Sequence, residues 1–373
     1  MSFNSSALGR LSSFTSTLLT ATVGMTLLVG CQQRQAPLPS PTFNARSVQR
    51  LSVPEAALQG DFSARARKGW QVHLSEVYRL NQKVQKGCEP FVKAARGQVK
   101  GSVMLFHGYT ACPQQYHELA PLLAAQGYNV FVPLLPGHGR PQVTRKGKVT
   151  DDTFKLPEEK GIFVYEGFTW AMGDLLKDEP GEKIAAGLSL GGAMAAHAML
   201  KNPQVFDRGI MMTPLLDVAA PRSLLLPTVG PLIPHRRIGW GEKCENERRL
   251  GRAGYCEFDV THVSAVRNFG LNVLKQVSQI KKPVQIVGVE KDPAASNSAM
   301  AKAYHRIPDA HACFFEYGTD HSMLSPQDNP GEDMFWLPQL KRQLVRYITT
   351  GQYFTTLGRN QTSEHGLRRC QSR

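Results

Sequence analysis

The residue best placed to act as a nucleophile is Ser189, in the pentapeptide Gly187-Leu188-Ser189-Leu190-Gly191. The preceding segment, Lys183 to Leu188, predicts a short buried strand, and Leu190 to Lys201 predicts a helix that Asn202-Pro203 ends. A strand that turns abruptly into a helix strains the backbone at the corner and lifts that side chain above the sheet edge. This G-x-S-x-G pattern therefore makes Ser189 a candidate nucleophile, although glycine-rich turns without catalytic function have the same pattern.

A second strand ends in residues that could bind a developing negative charge. Lys100 to Phe106 predicts a strand, and His107-Gly108-Tyr109-Thr110 follows it. A strand that runs into His-Gly commonly supplies one backbone N–H to an oxyanion hole, from the residue after His-Gly. That residue is Tyr109, and Leu190 would supply the second N–H. We expect His107 to support this loop and not to carry a proton.

A candidate acid follows a late strand. Val284 to Val289 is mostly apolar and predicts a buried strand, and Asp292 lies three residues after it. A carboxylate in this position can orient and stabilise the imidazole of a catalytic histidine. We expect Asp292 to be this acid, with Glu290 as the local alternative.

The candidate base is His321, which follows the last predicted strand, Ala312 to Tyr317. An imidazole in that position could reach back to Ser189 at the sheet edge. Asp320 is an unsuitable partner for it, because side chains adjacent in the chain diverge. The chain order serine, acid, histidine differs from the orders found in chymotrypsin and subtilisin.

The elements that position these residues alternate between strand and helix, which predicts a parallel sheet with helices on both faces. The alternation breaks after the predicted strand Arg208 to Met212: Pro221 to Pro234 is apolar and proline-rich, and Arg236 to Gly254 is basic. Val260 to Ile280 again predicts a helix. We expect residues from about 217 to 280 to form a small cap over the sheet edge. Apolar residues of this cap either line an acyl-chain groove or attach it to the core: Leu224, Leu225, Leu226, Val229, Leu232 and Ile233.

Residues from about 100 to 350 resemble the α/β-hydrolase superfamily. The stretch HGYTACPQQYHELAPLLAAQGYNVFVPLLPGHG together with GLSLGG resembles its bacterial carboxylesterase and monoacylglycerol lipase branch. The resemblance implies the α/β-hydrolase fold, with a mostly parallel sheet, helices on both faces and a small cap insertion. It also implies cleavage of small acyl esters without a cofactor: Ser189 attacks the carbonyl, His321 transfers the proton, Asp292 orients His321, and Tyr109 and Leu190 bind the oxyanion.

Two other functions remain open for such a chain. The same acyl-enzyme could pass its acyl group to a second alcohol, as an envelope acyltransferase would do. A non-catalytic lipoprotein could also retain the scaffold. Substrate chain length, the alcohol group and the oligomeric state do not follow from the motifs, because loops and cap shape the pocket.

The N-terminus carries an export signal. Residues 1–30 contain Arg10 and an apolar stretch from Phe14 to Val29, and they end next to Cys31 in a sequence that resembles a bacterial lipobox. This predicts a lipid anchor on Cys31 and attachment to the cell-envelope membrane, with a plain signal peptide or membrane anchor as the alternative. Because Gln32 follows, the resemblance favours the outer membrane, facing the periplasm, in an organism with two membranes.

Flanking segments separate the anchor from the core. Residues 31–62 are rich in Pro, Ser, Gln and Ala and predict a flexible tether. We expect residues 63–99 to form an extension packed on the core, with a helix in Trp70 to Gln85, and residues 351–373 to form a C-terminal tail after a closing helix.

Six cysteines remain besides Cys31, an even number that predicts up to three disulfides in an exported chain. The preferred pairs are Cys244 with Cys256, then Cys88 with Cys112, and Cys313 with Cys370 by elimination; free buried thiols are the alternative. We expect no metal site, because the chain has no C-x-x-C motif or histidine cluster.

The net charge of +14 could indicate a nucleic-acid or membrane partner. The basic residues are dispersed, however, and no nucleic-acid-binding motif accompanies them. We therefore expect no nucleic-acid partner.

Overall fold

The structure, a computed structural model, describes residues 60–81, 83–315, 321–355 and 370–372. The predicted signal peptide, Cys31 and the tether up to residue 59 lie outside the described residues. Asp320 and the end of the predicted last strand also lie outside them.

The secondary structure alternates between strands and helices over most of the described chain. The strands are β1 (Phe91–Lys93), β2 (Gly101–Phe106), β3 (Tyr128–Val132), β4 (Val143–Arg145), β5 (Lys148–Thr150), β6 (Glu182–Leu188), β7 (Arg208–Met212), β8 (Arg237–Gly239), β9 (Glu257–Asp259), β10 (Val284–Val289), β11 (Ala310–Phe315) and β12 (Gln371–Ser372). The helices are α1 (Ala64–Asn81), α2 (Leu119–Ala125), α3 (Ile162–Leu175), α4 (Leu190–Lys201), α5 (Arg222–Val229), α6 (Glu242–Arg249), α7 (Val260–Gln276), α8 (Asn297–Arg306) and α9 (Leu337–Thr350).

A central sheet has the strand order β1-β3-β2-β6-β7-β10-β11-β12. The edge strands β1 and β12 are antiparallel to their neighbours, and the inner pairs are parallel. Every residue of β2, β3, β7 and β10 is buried, as expected for parallel strands that are covered on both faces. The mostly parallel sheet predicted from the sequence is confirmed.

Two apolar clusters fill the space between the sheet and its helices. Met104 and Phe106 of β2 belong to the cluster that also contains residues of α1, α3, α4, α7 and α8. Val103 and Leu105 belong to the other, with α2 and α9. This division follows from the two-residue period of a strand, which sends successive side chains to opposite faces.

The cap lies between β7 and α7. It contains α5, α6 and the antiparallel pair β8–β9. Helix α7 packs on α3 and α4 and so belongs to the helical layer of the core. The segment over the sheet edge is therefore shorter than the predicted 217–280 and ends near Asp259.

The structure forms all three predicted disulfides, and every cysteine among the described residues is paired. The pairs are Cys88–Cys112, Cys244–Cys256 and Cys313–Cys370. The first joins the segment after α1 to the loop after β2, the second joins α6 to the residue before β9, and the third joins β11 to the residue before β12. Within the part of the chain that the structure describes, none of the helices combines the length and the hydropathy needed to span a bilayer.

Candidate active site

Ser189 occupies the sharp turn between β6 and α4. Its backbone has φ 58° and ψ −120°, a left-handed conformation that a serine adopts only under constraint. A Cβ on Gly187 would lie 2.0 Å from the carbonyl oxygen of Gly191, and one on Gly191 would lie 1.9 Å from that of Phe106. Both positions therefore exclude any side chain. The Ser189 N–H donates to the Met212 carbonyl at 2.8 Å, which holds the strained residue against β7.

His321 and Asp292 lie in direct contact. Nδ1 of His321 is 2.7 Å from Oδ2 of Asp292, whose side chain is fully buried. The other carboxylate oxygen, Oδ1, accepts the backbone N–H groups of Ala294 and Ala295 at 2.8 and 2.9 Å. With the carboxylate fixed in this way, its second oxygen faces the imidazole and favours a proton on Nδ1.

Ser189 and His321 line one cavity of about 220 Å³. The predicted oxyanion residue Tyr109 lines the same cavity. The adjacent Gly108 comes so close to the nucleophile turn that a Cβ on it would lie 3.5 Å from the Cβ of Ser189. Leu190 is the first residue of α4, so its N–H has no acceptor within the helix. The structure thus describes every predicted site residue except Cys31. The five described residues lie at the carboxyl edge of the sheet: Tyr109, Ser189, Leu190, Asp292 and His321.

Three buried histidines hold the loops behind this cavity. His73 accepts the Leu134 N–H through Nε2, and His107 accepts the Leu135 N–H in the same way at 3.0 Å. His138 accepts the N–H of Thr110. Each is therefore neutral in the folded chain, because a protonated imidazole has no acceptor. Burial lowers the pKa of His73 to about 3, that of His138 to about 4, and that of His107 well below its usual value. His107 supports the loop, as expected.

Thr110 connects this loop to the cap. Its φ of 64° puts it in the left-handed region. Its carbonyl accepts the Tyr255 N–H at 2.8 Å, and its hydroxyl accepts the indole N–H of Trp240 at 2.9 Å. The cap therefore contacts the residue directly after Tyr109.

A buried ion pair fixes the cap to the body. Arg248 of α6 lies 2.7 Å from the carboxylate of Asp151, whose side chain is only 2% exposed. The same carboxylate accepts the backbone N–H groups of Cys256 and Glu257. These contacts hold α6 and β9 to the loop after β5.

The wall of the cavity on the cap side is polar. Trp240, Lys243, Glu247 and Arg252 line it. Nε of Arg252 is 3.4 Å and Nζ of Lys243 is 3.7 Å from the carboxylate of Glu247. A ligand next to the cap therefore meets charged groups and an indole.

The apolar cap residues do not line this cavity. The prediction that they either line an acyl-chain groove or attach the cap to the core therefore needs correction. Leu224 is 74% exposed and Leu232 is 79% exposed. No residue of α5 is buried. None of the six predicted residues forms an acyl groove at Ser189. The exposed Leu224, Leu225, Val229 and Leu232 do not attach the cap to the core either, whereas Leu226 and Ile233 are half-buried.

Sequence reasoning did not identify three further polar residues of the cavity wall: Gln115, Asp328 and Asn329. Gln115 donates to Asp328 across 213 positions of sequence. No local pattern marks such a pair. Among the described residues, no group of three or more His, Cys, Asp or Glu side chains could hold a metal ion.

Comparisons with known proteins agree with this architecture. The sequence profile of a family described as serine aminopeptidase, S33 matches residues 97–325. A thermostable monoacylglycerol lipase from Bacillus sp. (strain H-257) is 33% identical over 132 residues, which are 35% of this chain and 45% of that protein. The chain thus spans less than half the length of this relative.

Solved structures show the same fold at low sequence identity. The monoacylglycerol lipase of Paleococcus ferrophilus has a TM-score of 0.51 and 17% identity, over 71% of this chain and 100% of the other. A soluble variant of the monoglyceride lipase of Saccharomyces cerevisiae has a TM-score of 0.52 and 16% identity, over 69% and 89%. The predicted α/β-hydrolase fold is confirmed.

Proposed function

The chain belongs to the serine aminopeptidase S33 family, and on that premise we propose that it is a serine hydrolase that cleaves carboxylic esters. The similarity to monoacylglycerol lipases supports an enzyme of the esterase and lipase type. The observation that carries the proposal is the 2.7 Å contact of His321 with Asp292, in a site where His321 shares a cavity with Ser189. A serine at a strained turn, a histidine and a buried acid form the machinery of acyl transfer.

In the proposed reaction, Nε2 of His321 takes the proton of the Ser189 hydroxyl while Oγ bonds to the acyl carbon. Asp292 stabilises the resulting imidazolium. His321 then gives the proton to the leaving alcohol as the ester C–O bond breaks. Water repeats these steps on the acyl-enzyme, which releases the acid and restores Ser189.

The oxyanion of each tetrahedral intermediate is assigned to the backbone N–H groups of Tyr109 and Leu190. Tyr109 lines the cavity and Leu190 begins α4, so the helix dipole adds to the effect of its N–H. Each such donor contributes about 3 to 4 kcal/mol to transition-state stabilisation.

The cavity supports a preference for short acyl chains. Its volume of about 220 Å³ is below the range of about 300 to 1,000 Å³ that is common for sites of drug-sized ligands. Its cap wall carries Lys243, Glu247 and Arg252, which would leave a long alkyl chain against charged groups. A small acyl group and a polar alcohol fit this site better.

Hydrolysis of p-nitrophenyl esters from acetate to palmitate tests the proposal. We expect turnover by the wild type with the highest kcat/KM at short chains, and loss of activity in Ser189→Ala. Ser278→Ala, at an exposed serine remote from the cavity, is the matched control and should behave as the wild type. Activity that survives Ser189→Ala would exclude the proposed nucleophile. Faster cleavage of amino-acid p-nitroanilides than of any ester would indicate a peptidase instead.

We further propose that the protein is exported and anchored by lipid on Cys31. The lipobox-like sequence before Cys31 supports this, and three disulfides are typical of an oxidising compartment. Expression in a bacterium that is fed an alkyne fatty acid would label the wild type but not Cys31→Ser. Equal labelling of both would contradict the anchor.

A further inference from the structure

Gln115 connects the loop that carries Tyr109 to a buried carboxylate. It lies on the 3₁₀ turn Pro113–Tyr116 and is 2% exposed. Its Oε1 accepts the N–H of Gly108 at 2.8 Å, and its Nε2 donates to Oδ2 of Asp328 at 2.5 Å. Asp328 is 3% exposed. A chain of two hydrogen bonds therefore connects the Gly108 N–H, the Gln115 amide and the Asp328 carboxylate.

The residue after Asp328 holds the other side of the cavity. Asn329 is 2% exposed, and its Nδ2 donates to the carbonyl of Ser322 at 2.7 Å. Ser322 directly follows His321. Two adjacent residues thus support both the loop of the proposed oxyanion donor and the loop of the proposed base.

Gly108 needs such support because of its residue type. Glycine is freer in φ and ψ than any other residue, so the peptide that follows it could rotate. That peptide carries the N–H of Tyr109. The carbonyl of that peptide contacts Nδ1 of His107 at 2.9 Å and accepts the Ala111 N–H at 3.2 Å, which limits the rotation. The hydrogen bond from the Gly108 N–H to Gln115 fixes the peptide on the other side of Gly108, so both peptides that flank the glycine are held. The carboxylate of Asp328 fixes which end of the Gln115 amide faces Gly108.

We propose that Gln115 and Asp328 are positioning residues, which hold Gly108 so that the N–H of Tyr109 points to the developing oxyanion. The inference rests on the proposed function. A purely structural role would change stability alone. A positioning role lowers kcat and leaves KM nearly unchanged, because the oxyanion forms only after the substrate is bound.

The test exchanges the amide and the carboxylate. In Gln115→Glu the donor to Asp328 is lost and two carboxylates face each other, so we expect kcat for p-nitrophenyl butyrate to fall by about 100-fold, the effect of losing one oxyanion donor. In Asp328→Asn the new amide can turn its oxygen to Gln115, so we expect a loss below about tenfold. In the double variant Gln115→Glu/Asp328→Asn, the new carboxylate accepts the Gly108 N–H and the new amide donates to that carboxylate. Its kcat should be at least about tenfold higher than that of Gln115→Glu.

Gln279→Glu makes the same chemical change at an exposed glutamine and should leave kcat unaltered. The proposal is overturned if Gln115→Glu keeps kcat within about threefold of the wild type, if its loss lies in KM, or if the double variant is no better. If Gln115→Glu does not fold, the double variant decides: kcat within about tenfold of the wild type supports the proposal, and a loss of more than about 100-fold overturns it. Absence of p-nitrophenyl ester hydrolysis by the wild type would instead refute the proposed function.

Discussion

The carboxylate of Asp292 contacts His321 through Oδ2 at 2.7 Å, while its Oδ1 accepts two backbone N–H groups. The two oxygens therefore have different environments. Only an oxygen can occupy the position that faces the N–H groups of Ala294 and Ala295. Any amide placed here must direct its NH₂ group at His321.

This geometry predicts the effect of Asp292→Asn. The new NH₂ group would make Nδ1 of His321 an acceptor and move the ring proton to Nε2, which could then no longer take a proton from Ser189. We expect kcat for p-nitrophenyl butyrate to fall by about 10⁴-fold with little change in folding. The measurement is steady-state kinetics together with far-ultraviolet circular dichroism.

Glu290→Gln is the matched control, because Glu290 is the other acid in the loop between β10 and α8. It should keep kcat within about threefold of the wild type, as expected for a residue outside the transition state. A larger loss in Glu290→Gln than in Asp292→Asn would reverse the assignment of the acid.

Local patterns predicted the elements that carry this site. The predicted bounds of α4, Leu190 to Lys201, and of β10, Val284 to Val289, are those of the structure. In α4 the glycine turn and Asn202-Pro203 mark both ends, and in β10 a short apolar run predicts a strand buried on both faces.

Features that depend on distant partners were not predicted. The short edge strand β1 has no apolar run, and its pairing with β3 completes it. Helix α8 does not depend on a distant partner but was also missed: Ser296 caps it by accepting the Ala299 N–H. The pair of Gln115 and Asp328 exists only because the fold brings two loops together.

The ion pair of Arg248 with Asp151 predicts a loss of stability on removal of its cation. In Arg248→Met the carboxylate of Asp151 would stay buried without its opposite charge, although two backbone N–H groups remain. We expect a destabilisation of about 3 kcal/mol. The measurement is the midpoint of urea unfolding.

Arg249→Met, one position further along α6, removes an exposed arginine and serves as control. It should change the free energy of unfolding by less than about 0.5 kcal/mol. Equal effects of the two variants would show that the buried pair adds no stability.

The buried histidines predict a loss of stability in acid. His73 and His138 have pKa values of about 3 and about 4 in the folded chain, lowered by burial from the usual 6.5. Below pH 6.5 the unfolded chain binds protons that the folded chain does not. Stability is therefore full above pH 6.5 and falls as the pH drops towards 4, by about 1.4 kcal/mol per pH unit for each histidine.

Urea unfolding of His138→Gln between pH 7.5 and 5.0 checks this prediction. The free energy of unfolding of the variant should fall less steeply with decreasing pH than that of the wild type, because one histidine no longer contributes. His305→Gln, at an exposed histidine, should keep the slope of the wild type. Identical slopes for all three proteins would mean that His138 is protonated in the folded chain.

The hydrogen bonds of Thr110 to Trp240 and Tyr255 have a consequence for protein engineering. Grafting another protein's segment in place of residues 217–259 would remove both cap residues that hydrogen-bond to Thr110, the residue next to Tyr109. Chimaeras of this kind would alter turnover along with selectivity. Libraries that vary Lys243 and Glu247 while retaining Trp240 and Tyr255 would change selectivity without disturbing the support of Thr110 on which turnover depends.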